Sequence, residues 1–222
     1  MTKAIIFDVD GTLVDTVDLH ASAWVEALKQ FGIDIAFKDM RAQIGKGGDQ
    51  ILQGLVPPDV LKEKQEEIEA FRADLFKREY LPRARPFPGV RALFEHIRAS
   101  GQSAVLASSG KEDEVEGYKK LADIADLVDS ATSSDDAERS KPFPDIFQAA
   151  LEKLAPLGAD DAVVVGDTPY DAEAARNAGL KTVGVLSGGF SEQALREAGC
   201  IAIYRDPEDL LRNYASSPLA PS

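Results

Sequence analysis

The chain has 222 residues, of which 44% are hydrophobic, enough to bury a core in one large or two small domains. It carries 38 acidic and 25 basic side chains, which gives a formal net charge of -13. A surface with this charge repels phosphate backbones and anionic lipids, so we expect neither nucleic acid nor a membrane as a partner. Cys200 is the one cysteine, which excludes an internal disulfide and suits a reducing compartment. No apolar run approaches the length of a membrane span. We therefore expect a cytoplasmic protein.

The first predicted element is a strand over residues 4–7, a continuous apolar run typical of a strand buried on both faces. Asp8, Asp10 and Gly11 follow at its end. A pair of carboxylates before a glycine is also typical of a plain turn with a helix cap. The position at the end of an apolar strand favours a functional site instead.

Residues 16–82 contain no convincing strand, and their apolar side chains recur at three- and four-residue spacing. The predicted helices cover residues 19–31, 39–55 and 60–80. Prolines and a glycine then mark the return to a different pattern. We therefore predict a small helical domain over residues 16–82, inserted into a domain made of residues 1–15 and 83–222.

After the insert, short apolar runs alternate with helical stretches. The predicted strands cover residues 103–107, 127–129, 162–165 and 182–185. The predicted helices cover residues 90–99, 145–155 and 171–178. This alternation is typical of a doubly wound parallel α/β sheet, in which ligands bind beyond the carboxyl ends of the strands. The tail, residues 216–222, is rich in Ser and Pro, and we expect it to be loose.

Three further polar residues stand where chemistry is expected in such a sheet. Ser108 and Asp167 each follow closely on a predicted strand, and Lys141 precedes a predicted helix. Alone, each has an ordinary explanation: a helix cap for Ser108, a solvated charge for Lys141 and a turn for Asp167. Together with the first carboxylate pair they predict a common site at one edge of the sheet.

The order of these residues resembles the four motifs of the haloacid dehalogenase superfamily. The matching segments are FDVDGTL from residue 7, Ser108, KPFPD from residue 141 and GDTPYD from residue 166. The resemblance covers residues 3–189 and implies a Rossmann-like α/β core. The insert resembles the helical cap of the superfamily's first subclass, which closes over the site, excludes water and contacts the substrate beyond its phosphate.

The resemblance implies that Asp8 is the nucleophile of a phosphohydrolase and forms an aspartyl-phosphate intermediate. A carboxylate attacks a phosphate dianion only when a cation neutralises the phosphoryl oxygens, and the family uses Mg²⁺. The implied ligands are the carboxylates of Asp8 and Asp167 and the main-chain carbonyl of Asp10.

Asp10 has a separate implied role as the acid and base of the reaction. We expect it to enter protonated, to protonate the leaving alkoxide and then to activate the water that hydrolyses the aspartyl phosphate. A halide leaving group needs no proton, so Asp10 favours phosphoryl transfer over dehalogenation.

Other implied roles concern the phosphate and the surroundings of the nucleophile. Lys141 would hold Asp8, offset the carboxylates and contact the phosphate. Ser108, with backbone N–H groups near Ser109 and Gly110, would bind the phosphoryl group at a helix N-terminus. Asp171, one helical turn after Asp167, would orient water on the metal from outside the ligand set.

Within the predicted cap, the glycine-rich segment 44–48 is either a loop that sets specificity or a plain turn. Lys46 and Arg41 are candidates to bind a second anionic group of the substrate. We interpret Arg72 as a solvated helix charge.

The stretch DTVDLH, residues 15–20, resembles the corresponding segment of β-phosphoglucomutases. This resemblance implies that Thr16 and His20 position Asp10, and His20 is also a candidate substrate contact. A mutase, however, carries an arginine shortly after the glycine of its specificity loop, where this chain has Gly48.

Three functions therefore stay open at the level of sequence. Hydrolysis of a small phosphorylated metabolite, by a monomer or a weak homodimer, is preferred to a phosphosugar mutase because the second anionic clamp is missing. A catalytically idle, phosphate-binding regulatory protein is disfavoured because Asp8 and Asp10 are both present. Phosphoglycolate, a hexose phosphate and a nucleoside monophosphate all remain candidate substrates.

Overall fold

The computed structural model describes residues 2–221 and contains a six-stranded parallel sheet with strand order β5-β4-β1-β6-β7-β8. The strands are β1 (Ala4–Phe7), β2 (Val14–Asp15), β3 (Arg85–Pro86), β4 (Ser103–Ala107), β5 (Ser130–Thr132), β6 (Ala162–Gly166), β7 (Lys181–Val185) and β8 (Ala202–Tyr204). The central strand β1 pairs with β4 on one side and β6 on the other, with Ile5 opposite both Ala104 and Val163. The predicted doubly wound parallel α/β core is confirmed.

Helices cover both faces of this sheet and form a separate layer above its carboxyl edge. They are α1 (Val17–Gln30), α2 (Phe37–Arg41), α3 (Gly48–Leu55), α4 (Pro58–Leu75), α5 (Val90–Ala99), α6 (Glu112–Leu121), α7 (Asp145–Lys153), α8 (Pro169–Asn177), α9 (Glu192–Ala198) and α10 (Pro207–Arg212). Successive residues of β1 point to opposite faces: Ile5 packs in the core with Phe94 of α5, and Ile6 packs with Phe147 of α7. Burial on both faces explains why β1 is apolar throughout.

The inserted helices have a hydrophobic core of their own. Trp24, Leu28, Met40, Leu52 and Ile68 from α1 to α4 pack together there. The two connections between this helical unit and the sheet run side by side, because β2 and β3 pair as a short antiparallel ribbon. The helical cap is confirmed, whereas its bounds at residues 16 and 82 stay a prediction.

Two predicted elements differ from the structure. The predicted strand 127–129 is wrong: these residues precede β5, and the Asp129 carboxylate takes the place of a strand carbonyl by accepting the hydrogen bond of the Ala104 N–H. The predicted helix 39–55 is also wrong as one element, because residues 42–47 separate α2 from α3. Gly45 there has a φ of 108°, a left-handed value that interrupts a helix.

The predicted helix 60–80 changes character near its end. The α-helix stops at Leu75, and Phe76–Tyr80 continue as a π-helix. That local widening places Phe76 in the core and turns the chain back toward the sheet.

The expectation of a loose tail is wrong for residues 216–221, while Ser222 lies outside the described residues. Leu219 is fully buried, and its carbonyl accepts a hydrogen bond of 2.8 Å from Gln102. The carbonyl of Pro218 accepts a second, of 2.9 Å, from Thr2. Over the part of the chain that the structure describes, no helix combines the length and the apolar character needed to cross a membrane.

Candidate active site

The carboxyl edge of the sheet brings together the six residues that the motifs predicted to converge. They are Asp8, Asp10, Ser108, Lys141, Asp167 and Asp171. Asp8 follows β1, and Asp167 follows β6, its hydrogen-bonded neighbour. Because the two strands are parallel and in register, their ends present both carboxylates at the same level.

A buried ammonium lies between two of these carboxylates. Lys141 is fully buried, and its Nζ lies 2.5 Å from Asp8 Oδ1 and 2.8 Å from Asp171 Oδ1. It also donates a hydrogen bond to the Ala107 carbonyl at the end of β4. Burial alone would lower the pKa of Lys141, but the carboxylates of Asp171 and Asp8 outweigh it and raise that pKa. Lys141 therefore stays charged and holds Asp8 in place.

Thr12 connects the nucleophile candidate to the acid on β6. Its hydroxyl lies 2.8 Å from Asp167 Oδ1 and 3.1 Å from Asp8 Oδ2. The side chain of Asp171 is fixed separately, since its Oδ2 accepts hydrogen bonds from the backbone and the hydroxyl of Thr168 in the capping box of α8. The whole constellation is therefore held by groups on rigid elements.

The acidic groups are more numerous than the single lysine can neutralise. One carboxylate oxygen each from Asp8, Asp167 and Asp171 lies within 4.8 Å of the others. Burial raises the pKa of Asp8 to about 7 against the opposing charge of Lys141, and the carboxylates of Asp171 and Asp10 add smaller contributions in the same direction as burial. Burial likewise raises the pKa of Asp167, and the neighbouring Asp8 adds to it. A cation at this point would relieve the repulsion.

The surroundings of Asp167 fit a metal ion. Its Oδ2 is buried and has no hydrogen-bond partner among residues 2–221. A side chain at Gly188 would overlap this oxygen, and a Cβ at Gly11 would stand 2.5 Å from it, so two glycines leave room beside it. Buried carboxylate oxygens in such a setting are the donor set that Mg²⁺ prefers.

Asp10 occupies a different environment from Asp8. Its Oδ1 lies 2.6 Å from the Thr16 hydroxyl and 2.8 Å from His20 Nε2, and the Tyr118 hydroxyl lies 3.1 Å from the same nitrogen. Burial alone would raise the pKa of Asp10, but His20, Thr16 and Tyr118 outweigh it and lower the pKa to about 2. Without a substrate Asp10 is therefore ionised at neutral pH, in contrast to the protonated form expected from the sequence.

His20 is itself held from both sides. Its ring stacks on Phe76 at 4.0 Å between centroids, and its Nδ1 contacts the guanidinium of Arg72. Phe76 and Arg72 therefore hold the ring in an orientation in which Nε2 faces Asp10.

The N-terminal end of α6 faces the same cleft. Ser108 is fully buried and its Oγ accepts a hydrogen bond from the Gly110 N–H, whereas its own N–H donates to Thr132. Ser109 and Gly110 line the cleft beside Asp8, and Ser109 Oγ has no partner among the described residues. Ser109 thus offers a hydroxyl to a ligand, and Ser108 shapes the turn that presents it.

The three basic cap residues named in the sequence analysis have different surroundings in the structure. Lys46 lines the cleft, but its Nζ donates to Gln43 at 2.7 Å and lies over the ring of Tyr170. Arg41 lies away from the cleft and pairs with Asp18 at 2.6 Å. The interpretation of Arg72 as a solvated charge is wrong, because its side chain is only 14% exposed.

Residues 5–185 match the family model described as haloacid dehalogenase-like hydrolase, which is most of the chain and includes every residue of the constellation above. The chain belongs to this family. The resemblance stated from the motifs is therefore confirmed.

Individual relatives of this haloacid dehalogenase-like hydrolase are named phosphatases. The phosphoglycolate phosphatase of Nitrosospira multiformis is 29% identical over 206 residues, which are 90% of this chain and 90% of that protein. The phosphorylated carbohydrates phosphatase of Thermotoga maritima is 28% identical over 210 residues, covering 94% of this chain and 96% of that one. The expected enzyme class, a phosphatase-type hydrolase, is confirmed.

The fold is similar to that of a solved hydrolase. The crystal structure of a hydrolase from Pseudomonas syringae superposes with a TM-score of 0.91 at 31% identity, and each chain is covered over 100% of its length. One relative is much longer: Protein SUPPRESSOR OF QUENCHING 1, chloroplastic, from Arabidopsis thaliana is 29% identical over 212 residues, but this chain spans only 19% of it.

Sequence reasoning missed several residues of the haloacid dehalogenase-like site. Thr12 stands inside the first motif, so its spacing from Asp8 was visible, but its bridge to Asp167 was not. Tyr118, Trp24 and Glu114 are also at the site, and they sit on helices where the sequence shows ordinary amphipathic patterning. Only the packing of the cap onto α6 places them there.

Proposed function

We propose that this protein is a Mg²⁺-dependent phosphatase that hydrolyses a small phosphomonoester through an aspartyl phosphate on Asp8. The observation that carries the proposal is the cluster of Asp8, Asp167 and Asp171 around Lys141, with Asp10 beside it in one cleft. The names of its relatives support a phosphatase, and the geometry supports a carboxylate nucleophile.

The carboxylates of Asp8 and Asp167 and the main-chain carbonyl of Asp10 would hold the metal ion. The unpartnered, buried Oδ2 of Asp167 supports this assignment. When bound, Mg²⁺ supplies positive charge to the phosphoryl oxygens and so permits attack by an anionic nucleophile.

Asp8 is the group that attacks phosphorus, and Lys141 keeps its carboxylate oriented through the contact at Oδ1. The bond from phosphorus to the leaving oxygen breaks as the bond to Asp8 forms. Ser109 and the N-terminal end of α6 contact the transferring phosphoryl group. Water then attacks the phosphorus of the aspartyl phosphate and restores the free carboxylate.

Asp10 transfers the protons of both steps. Its low pKa makes it ionised before substrate binds, and an anionic phosphate arriving beside it raises that pKa by repulsion, so it takes up a proton with the substrate. It gives this proton to the leaving oxygen and, ionised again, accepts one from the attacking water. Thr16 and His20 keep its carboxylate in position.

A phosphosugar mutase is the second candidate, favoured by the contacts of Thr16 and His20 with Asp10. A mutase has to hold a second phosphate while the first is transferred. Of the cap cations that could serve, Arg41 pairs with Asp18 and Arg72 with Glu114, and Lys46 donates a hydrogen bond to Gln43. Hydrolysis is therefore preferred. Action on a small phosphorylated metabolite in the cytoplasm, as a monomer or weak homodimer, is part of the proposal.

The proposal is tested with purified protein and p-nitrophenyl phosphate in Mg²⁺. We expect phosphate release that stops on chelation, and we expect Asp8→Asn to abolish both release and labelling of the protein by phosphate, because an amide is not a nucleophile. Asp34→Asn, an exposed change in the cap, is the matched control. Turnover of Asp8→Asn near the wild-type rate would exclude covalent catalysis by Asp8.

The same preparation separates hydrolase from mutase. A phosphatase releases phosphate from a simple monophosphate, whereas a mutase protects its intermediate from water. Interconversion of β-glucose 1-phosphate and glucose 6-phosphate, primed by a hexose bisphosphate and far faster than phosphate release, would replace the hydrolase with the mutase.

A further inference from the structure

A second cleft opens directly beside the one that holds Asp8. Its volume is about 250 Å³, below the roughly 300–1,000 Å³ of sites for drug-sized ligands. The two clefts share Trp24, Gly48, Arg72, Ser109, Gly110 and Glu114. If phosphate is transferred at Asp8, as the proposed function holds, the leaving group of a small substrate extends into this second cleft.

The chemistry of the second cleft is set by carboxylates. Glu114 on α6 is 3% exposed, and its carboxylate has an ion pair with Arg72 at 3.6 Å but accepts no hydrogen bond from any residue between 2 and 221. Glu69 on α4 and Asp49 on α3 line the same space. Because the Glu114 carboxylate lines the cleft, its oxygens are available to accept a hydrogen bond from a ligand.

Both cations of this cleft have acidic neighbours, and Arg72 Nε has no hydrogen-bond partner among the described residues. Arg72 faces Glu114 and His20 and lies over the rings of Trp24 and Phe76. Lys111, at the exposed rim, pairs with Asp135 at 3.0 Å. A second phosphate or a carboxylate on the substrate would therefore meet acidic groups without a spare positive charge.

A hydroxyl group satisfies such a lining better than an ion of either sign. It donates to Glu114 or Glu69, and it accepts from the second N–H of the Gln65 amide, whose other N–H donates to Glu69 at 3.0 Å. A cationic leaving group would lie beside the guanidinium of Arg72, which opposes the attraction of the carboxylates. We propose that the second cleft takes an uncharged, hydroxyl-bearing leaving group, as in a phosphorylated polyol or sugar, and that Glu114 selects against a second anionic group.

The test compares substrates that differ only in the group far from phosphate. One set is 2-hydroxyethyl phosphate, phosphoglycolate and phosphoethanolamine, and the other is sorbitol 6-phosphate and 6-phosphogluconate. We expect kcat/KM to be at least about tenfold higher for the hydroxyl member of each set, the size of one charge-assisted hydrogen bond. Turnover of p-nitrophenyl phosphate in the same buffer reports the proposed function separately.

Variants of Glu114 and Glu69 test whether these carboxylates cause the preference for a hydroxyl-bearing leaving group. We expect Glu114→Gln to reduce the hydroxyl-to-carboxylate ratio about tenfold by removing the charge that repels the anion, and Glu69→Gln, at a half-buried position, to reduce it in the same direction. Glu116→Gln is the control, since Glu116 lies exposed on the same helix and pairs with Lys119. An unchanged ratio in both the Glu114 and Glu69 variants would overturn the role of these residues.

Three other outcomes would overturn the inference about the second cleft, and one of them would also overturn the proposed function. Faster hydrolysis of phosphoglycolate and 6-phosphogluconate than of their hydroxyl partners would overturn the inference while leaving the phosphatase intact. A preference for phosphoethanolamine would replace the hydroxyl with an ammonium group. No release from any substrate, p-nitrophenyl phosphate included, would overturn the proposed function and this inference with it.

Discussion

Lys141 is the residue on which the charge balance of the site depends. It is fully buried and compensates two carboxylates that are buried with it, Asp8 and Asp171. Desolvation of a charge is offset only by close and well-oriented partners, so removing the one cation leaves acidic groups that neither water nor another side chain neutralises.

We therefore expect Lys141→Ala to lower the free energy of unfolding by about 3–5 kcal/mol at pH 8 in the absence of metal. The loss should be smaller at pH 5, where Asp8, with its pKa of about 7, binds a proton instead. Urea unfolding measures both values, and Lys153→Ala, which removes an exposed pair with Asp136, is the control. Equal losses for the two variants would contradict the argument.

The raised pKa of Asp8 makes the free energy of unfolding of the metal-free protein depend on pH. Burial raises the pKa of Asp8 to about 7, above its usual value of about 3.9, so between these two pH values the folded protein holds a proton that the unfolded chain has lost. The free energy of unfolding then falls as pH rises through this window, by roughly 1–4 kcal/mol. Asp10, with a pKa of about 2, is ionised in both states there and adds no slope.

Urea midpoints between pH 4 and 8 in a chelator would measure this slope. We expect Mg²⁺ to raise stability more at pH 8 than at pH 5, because the ion binds the deprotonated carboxylates. Asp8→Asn should reduce the slope of the chelator curve, and Asp167, whose pKa is also raised by burial, accounts for the slope that remains. A midpoint that rises with pH in the wild-type protein would show that another group controls its stability.

At the scale of elements, loops after parallel strands form the site and connect it to the cap. The loop after β7 carries Ser187, whose hydroxyl donates to the Gly11 carbonyl at 2.7 Å, and Gly188, which packs against Asp167. The first motif and the β7 loop therefore enclose Asp167 from two sides. This enclosure explains why small residues are needed there.

We expect Gly188→Ala to weaken Mg²⁺ binding at least about tenfold and to reduce turnover, because the added methyl group would overlap Asp167 Oδ2. Titration calorimetry and phosphate release measure the two effects. Gly54→Ala in α3 is the control, since a Cβ there meets no atom within 4 Å. Equal metal affinity of the two variants would show that Asp167 Oδ2 does not face the ion.

At the scale of the whole molecule, the cap and the core touch on several sides of the cleft. Arg41 of α2 donates to the Gly188 carbonyl at 3.2 Å, and the Tyr170 hydroxyl of α8 donates to the Ala42 carbonyl at 2.7 Å. On the other side Arg72 faces Glu114. With the β2–β3 ribbon as the covalent connection, these contacts determine how the cap covers the site.

We expect Arg41→Gln to raise KM about two- to tenfold with a smaller change in kcat, because it removes one contact that keeps the cap over the cleft and leaves the reacting groups intact. Steady-state kinetics on a hydroxyl-bearing phosphomonoester measure the effect. Lys38→Gln, an exposed change on the same helix, is the control. A fall in kcat alone would show that Arg41 acts on the chemistry.

The sequence by itself determined the parallel character of the sheet with its strands β1, β4, β6 and β7, the presence of an inserted helical unit and the residues that meet at the carboxyl edge. These features are visible in the sequence because apolar runs are typical of strands buried on both faces, and because parallel strands bring their carboxyl ends to one edge of the sheet. The strand at Ser130–Thr132 was missed because its pairing with β4 is not a local property of the sequence. The break after α2 has a local cause, the positive φ of Gly45, which the apolar spacing of the segment did not show.

Only the tertiary structure decided the state of Asp10 and the surroundings of the leaving group. The pKa of Asp10 depends on His20 and Tyr118, and the latter lies 108 positions away along the chain. Arg72 and Glu114 carry charges that sequence patterning assigns to solvent, yet they face each other at the cleft. Electrostatics and desolvation depend on distances in space, which neither spacing nor composition contains.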